Sequence, residues 1–567
     1  MVVKRRVSLL LAGTMIGASV LIAAPAFADD AQTQKLQNQI NSLQQELQTL
    51  QDQVAQTKKQ ANAAQEAVQN IPGGLYNAAP PGAMPMVTKG PPAWLSSIHI
   101  SLAGSFIAME GVWRERNELS SGASDPAFSA LPFSNTPLYN ENELRFSSQQ
   151  SRITFVAKGD ISPTQHVWAH WENDWLGAGV TANSRESNSY NLRVRQAFFA
   201  YEDDNYHFHF KAGQQWSLLT QERVGMMEAE NTPLTIDAQY VVGFNWVRQP
   251  SIRFVEDWNK IAWFGISIES PQAAIGGSLP ASGAAFPFAV NAANNCNNSG
   301  LLDSATYCSN DIAPDIIEKV ALDPGFGHYE AFAMERWFAD SVSPYVSAVT
   351  PASWSTKTTF GWDVGGSALI PVAPKILDLQ GSVMYGDGGG RYGSSQLADV
   401  TYGSNGALTP LTYLGAMVGF VAHPMPGLDI YGYAGQEQVN ANSFAATSSA
   451  GYGNPAANNA GCLFANPAYA NNPGGIGAGS FNSPIAGSTC VGNVQRTQEL
   501  TIGFWQDAYK GDLGRIRVGM QYEYVQLHAF AGSPTATSTG GAPATPNQGL
   551  NPNNNVVFFS LRYYPFN

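Results

Sequence analysis

Beyond Trp94 the chain is written in segments of about ten residues whose side chains alternate apolar and polar, and the connections between these segments alternate strictly between short and long. Period-two alternation is the mark of a strand that is greasy on one face and wet on the other. Near the C-terminus Val557, Phe559, Leu561 and Tyr563 take one parity, with Ser560, Arg562 and Tyr564 on the other. At the start, Ile98, Ile100, Leu102, Phe106 and Val112 are expected to share a face, against His99, Ser101 and Ser105. Short turns fall at 161–165, 203–205, 256–259, 323–325, 371–374, 424–427 and 510–512. Long segments fall at about 113–150, 176–189, 217–241, 271–313, 339–357, 386–410, 439–494 and 529–554. Seven short and eight long connections predict sixteen antiparallel strands, with both ends of the set on the short-turn side.

Composition says where such strands can live. Only 13% of residues are charged, against about 25% in an ordinary soluble domain. Aromatics reach 11%, with 13 Trp and 22 Tyr, which suits rings placed at a boundary between water and lipid. No run of 18 uninterrupted apolar residues follows the N-terminal segment, so a bundle of membrane-spanning helices is excluded. A closed sheet pairs every backbone donor and acceptor and needs only one apolar face per strand, so it reconciles this polar sequence with a membrane. The expected fold class is therefore an all-β transmembrane barrel of 16 antiparallel strands over residues 94–567, in the outer membrane of a Gram-negative cell.

The N-terminal residues read as an export signal over 1–28: Lys4, Arg5 and Arg6, an apolar run from Val7 to Ala24, then Ala26-Phe27-Ala28 as a cleavage site. Removing it takes the formal charge from −13 to −16, which excludes a nucleic-acid partner. Over 29–71 apolar residues then fall at alternating steps of four and three, with Ile40, Leu47, Val54, Ala61 and Val68 at one core position. Leu36, Leu43, Leu50, Thr57, Ala64 and Ile71 occupy the other, so a periplasmic α-helical coiled coil is predicted, roughly 50 to 60 Å long at about 1.5 Å per residue. Pro72-Gly73-Gly74, Pro80-Pro81-Gly82 and Pro91-Pro92 make 72–93 a linker. The four cysteines, Cys296 with Cys308 and Cys462 with Cys490, lie in Gly/Asn/Ala-rich segments without zinc spacing. Export to an oxidising compartment makes each pair an expected loop-closing disulfide.

Giving the more apolar parity of each strand to lipid leaves the other for the lumen. Around the turn at Asp203-Asp204-Asn205, Leu192, Val194, Phe198, Phe208 and Phe210 are expected outward, and Arg193, Arg195, His209 and Lys211 inward. A three-residue turn there sets Ala197 opposite Lys211 and Arg195 opposite Gly213, with Asn205 left-handed. The same parity turns Arg152, Lys158, Arg253, Arg517 and Arg562 inward, while Pro250 leaves Arg248 undecided. The third long segment carries Glu222, Arg223, Glu228, Glu230 and Asp237 among Met226, Met227, Leu234 and Ile236. A loop with its own apolar residues folds against something, and folded inward it would set carboxylates opposite wall arginines in a charged constriction.

Several stretches resemble the DcaP-like group of trimeric porins: the Gln-rich heptads from Leu36, Arg193-Val-Arg-Gln-Ala-Phe-Phe199, Ala212-Gly-Gln-Gln-Trp216, Val247-Arg-Gln-Pro-Ser-Ile-Arg253, Pro314-Asp315 and Tyr385-Gly-Asp-Gly-Gly-Gly-Arg-Tyr392. The resemblance implies a homotrimer and passage of small, often anionic solutes such as dicarboxylates. One departure is the terminus, where Phe566 is followed by Asn567. The expected surroundings are outer-membrane lipid and lipopolysaccharide, with periplasmic or cell-wall components reached through the coiled coil. Eight histidines allow an enzyme reading, yet His207 and His209 lack a third metal ligand. His166, His170 and Glu172 are spread along one strand, and Gly386–Gly393 lacks the ending of a phosphate loop. No catalytic set, cofactor or metal is therefore expected. The alternative to a diffusion channel is an envelope anchor, whose barrel merely holds the coiled coil.

Overall fold

The computed structural model describes residues 98–566, except 119–127, 134–136, 178–190, 228–229, 278–287, 291–310, 345–352, 445–449, 458, 460–491 and 533–549. The export signal, coiled coil, linker, Glu228 and all four cysteines lie outside the described residues.

One antiparallel sheet contains nineteen strand segments. They are β1 (His99–Ser101), β2 (Ile107–Arg114), β3 (Glu143–Ser147), β4 (Arg152–Ser162), β5 (Gln165–Gly177), β6 (Asn191–Asp203), β7 (Phe208–Trp216), β8 (Arg248–Trp258), β9 (Ala262–Glu269) and β10 (Phe288–Val290). There follow β11 (Asp315–Leu322), β12 (His328–Pro344), β13 (Ser355–Ala373), β14 (Leu377–Asp387), β15 (Thr412–Met425), β16 (Leu428–Val439), β17 (Val494–Gly511), β18 (Gly514–Ala529) and β19 (Asn553–Tyr564). From β4 to β19 chain neighbours pair in turn, apart from β10, which adds only to the upper end of β12, while β1 pairs with β4 and Phe106 bridges to Arg152. β19 then pairs with β2, and β2 with β3, so the sheet closes on itself.

Alternation makes the two faces. β8 reads exposed at Ile252 and Phe254 and buried at Ser251, Arg253 and Val255. Exposed side chains on the outward face include Leu144, Phe146, Leu192, Phe199, Leu500, Ile502, Phe559 and Leu561. In water that surface would cost about 25 cal/mol per Å². Against hydrocarbon it is the matching solvent. Outward carboxylates among the described residues include Glu318 in β11 and Glu335 in β12, and Glu256 near the end of β8.

Three phase expectations are corrected. The first strand is interrupted at Ala103-Gly104, where Gly104 takes φ +92°, so Phe106 and Val112 turn inward while Ile100 and Leu102 stay outward. Phe198 also points inward, because the register slips between Glu172 and Asn173 and Arg195 sits on the bulge, reversing the parity of the rest of β6. The β6–β7 turn is one residue longer than expected: Asp203 pairs with Phe208, Ala200 with Lys211 and Phe198 with Gly213, and His207 rather than Asn205 adopts φ 55°.

Inside the ring lies the third loop, residues 217–247. It bonds to Arg253 on β8, Lys319 on β11, Gln380 on β14, Glu499 on β17, Gln521 on β18 and Arg562 on β19. A single segment can touch strands right round a closed sheet only from within. The first loop adds Phe128, Leu131 and Phe133 to the same apolar core as Trp216, Ile236, Tyr240 and Phe244. The sixth loop, 388–411, buries Tyr392, Leu397 and Val400, and its Tyr392 carbonyl accepts the Trp246 backbone N–H at 2.7 Å.

Candidate constriction inside the sheet

The near limb of the third loop, 217–230, is hooked by basic groups of the wall. Arg253, fully buried, donates to the Met226 and Trp216 carbonyls at 2.6 and 2.8 Å and to Glu222 at 3.3 Å. Burial and the nearby Glu230 carboxylate push the Glu222 carboxyl up to about 7, in spite of Arg253. Lys211 donates to the Met227 carbonyl at 3.1 Å and lies 3.7 Å from Glu230. Lys319 donates to the Thr220 carbonyl at 2.8 Å and pairs with Glu330 at 2.6 Å. Glu330 in turn accepts the Glu222 N–H at 3.0 Å. At the tip, the Gly225 N–H reaches Asp323 at 2.9 Å, in the short turn after β11. The near limb therefore runs down to the short-turn end of the sheet. Arg223, beside the tip, is exposed.

The far limb, 231–246, is held by polar acceptors instead. The Ile236 N–H donates to Gln521 at 2.7 Å, Val242 N–H to Glu499 at 2.7 Å and Gly243 N–H to Glu437 at 2.7 Å. Asp237 accepts from Gln521 at 3.1 Å. Contact with the wall is close enough to require glycine. Gly243 holds φ +84°, and a Cβ there would stand 2.0 Å from the Ala416 carbonyl oxygen. A Cβ on Gly435 would stand 1.7 Å from the Val242 carbonyl oxygen.

The remaining wall carries arginines in a row. Arg193 grips Asp174 with two bonds of 3.0 and 2.7 Å, and the bulged Arg195 joins Glu172 and Asp174 at 2.5 and 3.0 Å. Arg152 lies 3.6 Å from Glu172, and Arg562 donates to Glu110 at 2.5 Å and to the Ile236 carbonyl at 2.6 Å. Arg248 stacks over Trp216 and Trp246 at 4.6 and 5.1 Å, with Arg193 and Arg195 as its nearest like charges. Among the described residues, no third-loop carboxylate pairs with Arg193 or Arg195: Glu222 turns to Arg253, Glu230 to Lys211 and Asp237 to Gln521. Neighbouring strands supply those counter-charges. Bidentate geometry on Asp174 fixes the guanidinium, as carboxylate and arginine forks do generally.

The other expected basic residues stand apart. His209 sits between Glu202 and Asp257 at 3.2 and 2.9 Å, near the short-turn end. Lys158 lies over the Trp168 ring at 4.9 Å, and Arg517 pairs with Asp429 and, at 3.2 Å, with Asp507.

Several functional groups were missed by sequence reasoning. Glu437, Glu499 and Glu523 point inward, a placement readable from their strand parity but masked by attention to basic residues. The sixth loop looked like Gly-rich filler, yet Arg336 on β12 ties it down. Its guanidinium meets Asp315 at 3.3 Å and Asp399 at 3.1 Å, and donates to the Gly388 carbonyl. Stretches far apart in sequence converge here: Gln249 and Arg391 donate to Tyr392 Oη at 3.1 Å each, and Tyr392 donates to Asp315 at 2.6 Å.

A closed antiparallel sheet with an apolar outer face and loops folded into its interior defines a β-barrel fold. The chain has the fold of the outer membrane channel DcaP of Acinetobacter baumannii, with a TM-score of 0.53 and 13% identity, over 82% of this chain and 97% of that one. Weaker matches include an anion-selective porin from Comamonas acidovorans, at TM-score 0.38 and 9% identity over 82% and 99% of the two chains. Pseudomonas putida OprB matches at TM-score 0.39 and 10% identity, over 82% and 94%. No family model and no curated protein matches the sequence.

Proposed function

We propose that this chain is an outer-membrane diffusion channel for small polar solutes, with a preference for anions such as dicarboxylates. The observation that carries this reading is the arginine row. Arg152, Arg193, Arg195, Arg248 and Arg562 share their stretch of wall with Glu110, Glu172 and Asp174, so five cations meet three carboxylates. Among the described residues, Glu222 and Glu230 of the third loop pair with Arg253 and Lys211, and Glu437 and Glu499 accept backbone N–H groups of that loop, so none of these four pairs with the row. In a confined space of low dielectric such fixed charge is poorly screened and selects among ions. Planar-bilayer recording tests it: discrete current steps in salt support a channel, and a silent barrel supports the envelope anchor.

The finer architecture belongs to the same reading. Joining β1 with β2 and β3 with β4 as interrupted single staves, and setting β10 aside, leaves sixteen staves. The channel is a homotrimer whose N-terminal coiled coil stands in the periplasm, after export and removal of residues 1–28. Outward carboxylates at Glu318 and Glu335 support a covered face there, since a charge against hydrocarbon is costly. Cys296 with Cys308 and Cys462 with Cys490 close two of the long outer loops.

A further inference from the structure

The far limb of the third loop rests on carboxyl groups that have no cation. Asp237, Glu437 and Glu523 are fully buried and Glu499 is 4% exposed, yet among the described residues none of the four takes part in an ion pair. Glu499 and Glu437 accept the Val242 and Gly243 N–H groups, and Glu437 also accepts Ser395 N–H of the sixth loop at 3.1 Å. Asp237 Oδ2 and Glu523 Oε1 are buried with no hydrogen-bond partner. The groups facing this cluster are known from every side. Tyr413 comes from β15, Tyr431 and Tyr433 from β16, Glu110 and Arg114 from β2, Glu118 from the first loop and Arg562 from β19. Both arginines are already committed, Arg114 to Glu118 and Glu143, and Arg562 to Glu110.

Several carboxylates packed together in a dry site cannot all be ionised without a counter-charge. We infer that this cluster is a proton-operated latch: the far limb lies against β16–β18 while the carboxyls hold their protons, and leaves the wall when they lose them, widening the channel in alkaline surroundings. The observations point to a device of the fold rather than a ligand site, because the donors that meet the cluster are backbone, amide and hydroxyl groups of this chain, the Thr501 hydroxyl on Glu499 at 2.6 Å among them.

The direction follows from linkage. Burial holds the Asp237 carboxyl up at about 7, whereas in a released limb it would titrate in the ordinary carboxylate range. Between those values the docked limb binds more protons than the released one, so rising pH favours release, by about tenfold per pH unit for each extra proton held. Below the ordinary carboxylate range both states are protonated and docking no longer depends on pH. Above about 7 the docked form too loses the Asp237 proton, and the dependence from that group levels off.

Hydrogen exchange on the full-length protein in detergent reads the latch without any current. Protection of the Val242 and Gly243 amides, corrected for intrinsic rates, is expected to fall by about tenfold or more per unit between pH 5 and pH 7. Protection independent of pH would overturn the latch. In bilayers the wild type is expected to conduct roughly twice as well near pH 8 as near pH 5, and the Asp237→Asn/Glu437→Gln/Glu499→Gln/Glu523→Gln variant, which leaves no carboxyl of the cluster to titrate, to keep its low conductance throughout. A variant that still widens with pH would overturn it as well. Because the exchange measurement needs neither a variant nor conduction, it decides the latch even if the channel reading itself fails.

Discussion

Arg253 and Glu222 meet at 3.3 Å inside the closed sheet, both withdrawn from solvent, and the same guanidinium also holds the Met226 and Trp216 carbonyls. One side chain of β8 thereby fastens both ends of a ten-residue stretch of loop. Removing one partner of a buried, hydrogen-bonded pair typically costs about 3–5 kcal/mol. Arg253→Ala is therefore expected to free the near limb while β8 stays paired. Exposed Arg223 should become a ready trypsin site, and single-channel conductance should rise. Unchanged conductance and unchanged cleavage would show that the limb is held without Arg253.

The far limb is tested by volume rather than charge. Gly243→Ala and Gly435→Ala each place a methyl where the opposing carbonyl already stands, 2.0 and 1.7 Å from the new Cβ. Backbone atoms on both sides cannot give way as a flexible side chain would. Both variants are expected to keep the heat-modifiable barrel on unboiled gels and to lose exchange protection at Val242. A variant with wild-type protection at that amide would contradict the close contact.

Arg336 ties the sixth loop through Asp315, Asp399 and the Gly388 carbonyl, all buried. Arg336→Met leaves Asp315 with Arg391 and Tyr392 but takes the paired cation from buried Asp399, which keeps only the Ala274 and Arg391 N–H groups, and is expected to cost about 3–5 kcal/mol locally. The temperature at which the barrel unfolds on gels should drop, and Asp399→Asn added to it should restore part of the loss. No drop would mean that the aspartates are satisfied some other way.

The strand order and most of the short turns were legible in the sequence, because period two and turn chemistry are local signals. What was not legible is where the period breaks. The bulge at Arg195 inverted Phe198, and the interruption at Gly104 inverted Phe106 and Val112; each is a register event between two strands, invisible in either alone. The third loop could be expected to fold inward from its apolar residues. Its partners could not, since Arg253 and Glu222 lie 31 residues apart and Val242 and Glu499 lie 257 apart. The same signal that served for the third loop, apolar residues such as Tyr392, Leu397 and Val400 among glycines, was available for the sixth and went unused.

Residues 32–71 are expected to assist assembly without being needed for the barrel, because the sheet closes through its own strands, β19 on β2. Their deletion should leave a heat-modifiable barrel and weaken the trimer on unboiled gels. Loss of the folded barrel would show that the two parts are not separable.

The reversal potential in a salt gradient, measured for the wild type and for Arg193→Ala with Arg195→Ala, tests the role of the arginine row most directly. Those two arginines answer Glu172 and Asp174, and without them the row falls from five cations to three against the same three carboxylates. The wild type is expected to reverse on the anion-selective side, and the double variant to shift toward cations with similar or higher conductance. A cation-selective wild type, or a reversal potential that the two substitutions leave unmoved, would contradict the claim that the arginine row sets the passage.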